Sequence, residues 1–162
     1  MNQFDALKNA NGEIDKKHIK EVIPYDDPFL FVDKIISLTN NRIVAEKELS
    51  GKEDFFKGHF VGFPVMPGAL TIEGIGQTAT FLARSNMPNH QEKDVLAYKL
   101  KDVKFMSPIL PGSQLRYEVD LIAQDEKGAI FHGKVFVKDK LVAEAFFVVA
   151  IVNKFEFRAQ SN

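Results

Sequence analysis

Apolar and polar residues alternate with period two through the second half of the chain. In SQLRYEVDLIAQ (113–124), Leu115, Tyr117, Val119 and Leu121 fall on one face and Arg116, Glu118 and Asp120 on the other. LAYKLKDVKF before it, and AIFHGKVFVK and LVAEAFFVVAIV after it, read as strands; the last three strands are joined by the short turn sequences DEKG and KDK. Connections this short make neighbouring strands antiparallel. A first hairpin is expected upstream, residues 31–38 against 42–49, with Asn40-Asn41 at a tight turn whose positive φ Asn tolerates. Pro24, Asp26, Asp27 and Pro28 mark loop ahead of it, and the Gly- and Pro-rich residues 51–68 read as an extended loop.

From 67 to 85 the pattern changes. Leu70, Ile72, Ile75, Ala79, Leu82 and Ala83 cover most of a helical circumference. A helix apolar on nearly every side is a buried one. Pro67 suits its first turn, where a missing N–H costs nothing. The pattern therefore predicts an α+β fold: one long central helix wrapped by an antiparallel sheet of about five or six strands, each burying the other's apolar face. All of 1–162 reads as a single domain, with 1–18 as an N-terminal arm and 153–162 as a C-terminal tail to which no role is assigned.

Composition narrows the function. The 162 residues are 45% hydrophobic and 27% charged, with a net charge of −1, which gives no electrostatic footprint for nucleic acid. No run of about 18 apolar residues exists, so no membrane span is expected. The polar N-terminus lacks the apolar core of a secretory signal, and there is no Cys for disulfides or thiolate metal sites. A cytoplasmic protein is expected. Fifteen Phe and no Trp point to a large aromatic core or an apolar ligand channel.

The candidate chemistry sits in GHFVGFPVMPGALTIEGIGQ (58–77), where His59 precedes Glu73, the only charged residue between Phe60 and Ala83. A turn His and a solvent-facing helix Glu are the ordinary alternatives. Glu73 fits its alternative poorly, because Ile72 and Ile75 flank it and a buried carboxylate is costly. Gly74 and Gly76 suggest close approach of another backbone or of a ligand. Gln77, four residues on, shares the helix face of Glu73 and is placed to hold its carboxylate. A His and a carboxyl of raised pKa suit proton transfer. The free N–H groups at Pro67-Gly68 suit a carbonyl oxygen that gains negative charge. Thr71 and Thr78 have no activating His at a recognisable spacing, and no metal-ligand spacing occurs. The chemistry inferred is abstraction of a proton alpha to a carbonyl, coupled to loss or movement of a neighbouring group. GIGQTA (74–79) fits a dinucleotide fingerprint formally, but it lies inside the helix and outside any βαβ unit. His18, His90 and His132 read as structural.

These residues resemble the signature of the 3-hydroxyacyl-acyl-carrier-protein dehydratases of type II fatty acid synthesis. Gly58, His59, Phe60, Gly62, Pro64, Pro67, Gly68, Glu73 and Gln77 match it, and PFLFVDKI (28–35) and VKFMSPILPGSQL (103–115) are similar to two further family segments. The resemblance implies a hot-dog fold and a homodimer with shared sites, with a trimer of dimers as a larger assembly. His59 of one protomer would take the C2 proton. Glu73 of the other would deliver a proton to the departing 3-hydroxyl. The Gly68 N–H would polarise the thioester carbonyl, and the Val65 carbonyl would hold the His59 ring. No cofactor is implied. An acyl carrier protein would present the substrate, with Phe60, Phe63, Met66, Phe105 and Lys104 as tunnel or carrier contacts. Lys99, Lys101 and Arg84 are further candidates for phosphate or carrier contact, against an ordinary solvated face for each. Glu73, where a related dehydratase/isomerase branch carries Asp, points to the dehydratase-only type.

The sequence departs from the family at Val61, which replaces a Pro, at Tyr25-Asp26-Asp27, which replaces His-Arg-Tyr, at Met106-Ser107, which replaces a region usually holding Arg, and at Ser113, which replaces an Asp. Fewer basic and more acidic side chains weaken attraction to an acidic carrier. The rival readings are a hot-dog acyl thioesterase and a non-catalytic acyl-binding subunit.

Overall fold

The computed structural model describes residues 2–160. Residue 1 of the expected arm and residues 161–162 of the expected tail lie outside the described residues. The elements run β1 (Ile14–Asp15), α1 (Lys16–Val22), β2 (Lys34–Leu38), β3 (Arg42–Glu48), α2 (Phe55–Gly58), α3 (Gly68–Ser85), β4 (Lys93–Phe105), β5 (Gln114–Gln124), β6 (Gly128–Val137), β7 (Lys140–Asn153) and α4 (Lys154–Ala159).

One antiparallel sheet takes the order β1-β2-β3-β5-β6-β7-β4. Seven strands exceed the expected five or six because the arm contributes β1, a two-residue strand pairing Ile14 with Ile35. The period-two pattern tracks burial: Leu115, Tyr117 and Val119 are buried on the inner face of β5. That face wraps α3, which packs against β3, β5, β6 and β7. Ile75, Ala79, Leu82 and Ala83 are fully buried there.

Several local expectations need correction. The first hairpin begins at Lys34 rather than 31, because 28–33 is held as a loop by α3, as described below. Its turn has no positive φ at Asn40 or Asn41. Thr39 closes it instead, its hydroxyl donating to Asn41 Oδ1 (3.0 Å) and accepting from the Arg42 N–H (3.1 Å). The positive φ values fall at Lys138 (49°) and Asp139 (61°), in the two-residue turn between β6 and β7. Residues 51–68 are not wholly extended: α2 forms within them and ends at His59. Pro67 is the N-cap of α3 rather than its first helical residue.

The arm is packed, with Phe4 buried edge-on against Phe81, 5.3 Å between ring centres. The tail forms α4, tied to the start of β4 through Arg158 and Asp94 (2.8 and 2.9 Å). β4 is the far edge of the sheet. Residues 99–106 are all exposed, and the strand is irregular between Lys101 and Lys104, where Asp102 has φ 50°. Among the described residues no helix is long and apolar enough to cross a membrane.

Candidate active site

His59 closes α2 and begins a tight loop. The backbones of Phe60 and Phe63 bond each other in both directions (2.9 and 3.1 Å), with Gly62 at φ +81° between them. The peptide bond between His59 and Phe60 is cis. Two contacts then fix His59 to Val65. The Val65 N–H donates to the His59 carbonyl (2.7 Å), and His59 Nδ1 lies 2.8 Å from the Val65 carbonyl oxygen. A carbonyl only accepts, so Nδ1 carries the hydrogen and, in the neutral ring, Nε2 is left with a lone pair.

The Met66 N–H bonds the Ile109 carbonyl (2.8 Å), and the chain enters α3 at Pro67. The Pro67 carbonyl takes the Leu70 and Thr71 N–H groups (3.0 and 3.1 Å). The N–H groups of Gly68 and Ala69 belong to the open first turn and have no helical partner. His59, Val65, Met66, Gly68, Phe105 and Val142 line one cavity of about 460 Å³. Met66 is buried, while Phe60, Phe63 and Phe105 are each more than half exposed. What approaches Gly68 in the chain itself is the Phe105 ring: a Cβ at Gly68 would sit 2.8 Å from it.

Glu73 lies one and a half turns along α3 and does not line this cavity. Among the described residues no hydrogen bond or ion pair joins it to His59. Burial pushes its carboxyl above the usual range, and the Gln77 hydrogen bond (3.1 Å) pulls the other way. Gln77 is fully buried. Its Oε1 accepts the Phe31 N–H (2.8 Å) and its Nε2 also donates to the Phe29 carbonyl (2.8 Å). One amide thus clips the 28–33 loop to α3 and holds the acid.

The glycines flanking Glu73 admit side chains rather than a backbone or a ligand. A Cβ at Gly74 would sit 2.2 Å from the Tyr117 hydroxyl, and one at Gly76 3.1 Å from the Phe147 ring. Tyr117 is wholly buried, its hydroxyl has no partner, and its pKa is pushed far up by burial and then by the charges of Asp33 and Glu73. Tyr25 lies within the field of Glu73 as well; its hydroxyl is pushed up by burial first and by that charge second. Tyr25 is noted in the sequence only as part of a departure from the family pattern, and Tyr117 reads as one more inward position of a strand. The pairing of a helix glycine with a large strand aromatic is the signal that marks Tyr117.

Thr71 and Thr78 donate to the carbonyls of Pro67 (3.3 Å) and Gly74 (2.8 Å), as helix hydroxyls do. Arg84 is not a surface contact. It is 5% exposed and spans the carbonyls of His90 (2.7 Å) and Lys93 (2.8 Å). Lys104 is largely exposed, 3.6 Å from Glu144, which also meets His132 Nε2 (3.2 Å). His18 sits on Asp15, which caps α1.

Residues 23–146 match the FabA-like domain family. A 3-hydroxyacyl-(acyl-carrier-protein) dehydratase FabZ of Koribacter versatilis is 38% identical over 147 residues, 90% of this chain and 94% of that protein. The chain belongs to the FabZ-type dehydratase family. The dehydratase heterocomplex ApeI:P from Xenorhabdus doucetiae aligns with a TM-score of 0.74 at 19% identity, covering 89% of this chain and 97% of that one. The thioesterase HI1161 of Haemophilus influenzae aligns at 0.59 and 12% identity, covering 77% and 80%. At these identities the two structures speak for the hot-dog fold alone. The FabZ-type assignment rests on the sequence match, which spans every element from β2 to β6.

Proposed function

We propose that this FabZ-type chain converts 3-hydroxyacyl thioesters on an acyl carrier protein to trans-2-enoyl thioesters and water, in fatty acid biosynthesis. His59 Nε2 takes the C2 proton. The electron pair left at C2 forms the C2–C3 double bond as the C3–O bond breaks. The Glu73 carboxyl protonates the departing hydroxyl, directly or through water, and leaves as carboxylate. A proton passing from the imidazolium to that carboxylate resets the pair. The Gly68 N–H donates to the thioester oxygen as charge builds there.

The observation that carries this reading is the His59 ring, held at Nδ1 by the Val65 carbonyl with Nε2 free, in one apolar cavity with the open N-terminus of α3. Glu73 lies outside that cavity, which supports a reading in which the acid at each site is supplied by the partner protomer. The exposed edge of β4, carrying Tyr98, Leu100, Val103 and Phe105, supports a dimer paired along that strand. Burial raises the Glu73 pKa, which supports its role as the acid of the pair. Phe60, Met66 and Phe105 line the cavity, which supports their role as acyl-tunnel residues, with Phe63 and Lys104 outside its lining as tunnel or carrier contacts. The reading keeps the cytoplasmic location expected from the sequence.

A thioesterase on the same fold would deliver water to the carbonyl instead. Product analysis on 3-hydroxyacyl thioesters separates the two. Enoyl absorbance without free thiol is the expected result, and stoichiometric free thiol without enoyl product contradicts it.

A further inference from the structure

A second cavity, of about 320 Å³, lies at the opposite end of α3 from Gly68, among α1, the start of β4 and α4. Four permanently cationic side chains line it (Lys20, Arg84, Lys154 and Arg158), together with His90, against two carboxylates, Glu21 and Asp94. The protein as a whole carries a charge of −1, so this concentration of cations is local.

Arg158 is engaged with Asp94 through bonds of 2.8 and 2.9 Å, and Lys20 with Asp26. Among the described residues Lys154 has no ion pair. Arg84 spends its two terminal nitrogens on backbone carbonyls, and its Nε is buried without a partner, as is His90 Nδ1. Two of the side chains lining this cavity therefore keep a nitrogen without a protein partner, and the cations around them remain only partly neutralised. Burial and the Arg84 charge hold His90 below its ordinary range, so its ring enters as a neutral hydrogen-bonding group.

Three carbonyls at the end of α3 and in the turn after it, which would supply negative potential, are already covered. Gln3 takes those of Arg84 (2.7 Å) and Met87 (2.8 Å), and Gln124 takes that of Ala83 (3.1 Å).

We infer that this cavity binds a phosphate group, either the free ion or the end of a small phosphate monoester. Phosphate brings several strong acceptor oxygens and up to two charges, which suits guanidinium and ammonium donors converging from three elements. α4 contributes Lys154 and Arg158, so the C-terminal segment is part of the site. The inference is independent of the dehydratase reading, since no residue of this cavity lines the one around His59.

The test is a 31P NMR titration of the full chain with inorganic phosphate and with glycerol 3-phosphate, at constant ionic strength. Wild type is run beside Lys20→Ala/Lys154→Ala, which removes two cations and leaves the buried Arg84 in place. A Lys154→Glu variant repeats the test by charge reversal. Saturable binding at one site per chain is expected, weakened at least tenfold in both variants, with ligand-free melting unchanged. Tighter binding of glycerol 3-phosphate identifies a monoester, and tighter binding of phosphate identifies the free ion; either upholds the site. No saturable binding to wild type, or equal affinity in the variants, overturns it.

Discussion

Gln77 Nε2 reaches Glu73 Oε1 at 3.1 Å while Gln77 Oε1, at the other end of the same amide, accepts the Phe31 N–H at 2.8 Å. The acid and the 28–33 loop are therefore set by one buried side chain. Gln77→Ala leaves the Phe31 N–H and the Phe29 carbonyl without partners and frees the Glu73 carboxylate. The variant should lose about 3 kcal/mol of stability in urea unfolding and roughly 10- to 100-fold in turnover from misplacement of the acid. Unchanged turnover in a folded Gln77→Ala would disconnect the clip from the chemistry.

The raised pKa of Glu73 makes a signed prediction about stability. Burial disfavours its charged form in the folded state. A carboxyl raised above its unfolded value favours the fold below that value and loses this contribution as pH climbs through the folded pKa. Glu73→Gln should therefore be more stable than wild type at pH 8, with the advantage shrinking towards pH 4. Melting temperatures across that range provide the check. A constant difference would mean that Glu73 is solvated.

Gly68→Ala tests how tightly the cavity is built. The new Cβ would meet the far end of the Phe105 ring at 2.8 Å, and within the single chain that ring can give way at little cost to folding. Turnover should fall roughly tenfold as the cavity changes shape, with a melting temperature within about 2 °C of wild type. Phe105→Ala in the same chain should remove the clash and recover part of the rate.

Gly74→Ala should behave in the opposite way. Its Cβ would meet the hydroxyl of Tyr117 at 2.2 Å, and that residue is wholly buried and has no room to turn. Overpacking here should cost about 1–3 kcal/mol, read by urea unfolding. Tyr117→Phe in the same chain should not rescue it, because the ring carbon beneath the hydroxyl is itself only 2.4 Å away.

How far the sequence is legible follows from which forces are local. The period-two runs of β5 and β6 and the all-round apolar face of α3 are local patterns, and strands and helix stand where they place them. β1 is two residues long and exists only because β2 is there to pair with it, so no local pattern announces it. The loop at 28–33 has the apolar content of a strand but is taken up by Gln77, a contact across 46 positions. Arg84 reads as a surface cation until the turn after α3 folds two carbonyls onto it. Around the candidate site the motif places His59, Val65 and Gly68 on one cavity. It is silent on Phe105 covering Gly68, which depends on where an edge strand ends.

In the proposed reaction His59 and Glu73 act together from different protomers, and a mixed dimer tests this most directly. His59→Ala and Glu73→Gln would be assayed alone and co-expressed, following enoyl absorbance from 3-hydroxyacyl-acyl-carrier-protein. Each variant alone should lose about 10²–10⁴ in rate. The random mixture should recover up to about a quarter of wild-type activity, since half of its two-fold dimers carry one intact site. A mixture as inactive as its parents would contradict a shared site, and a His59→Ala protein with wild-type turnover would contradict the chemistry itself.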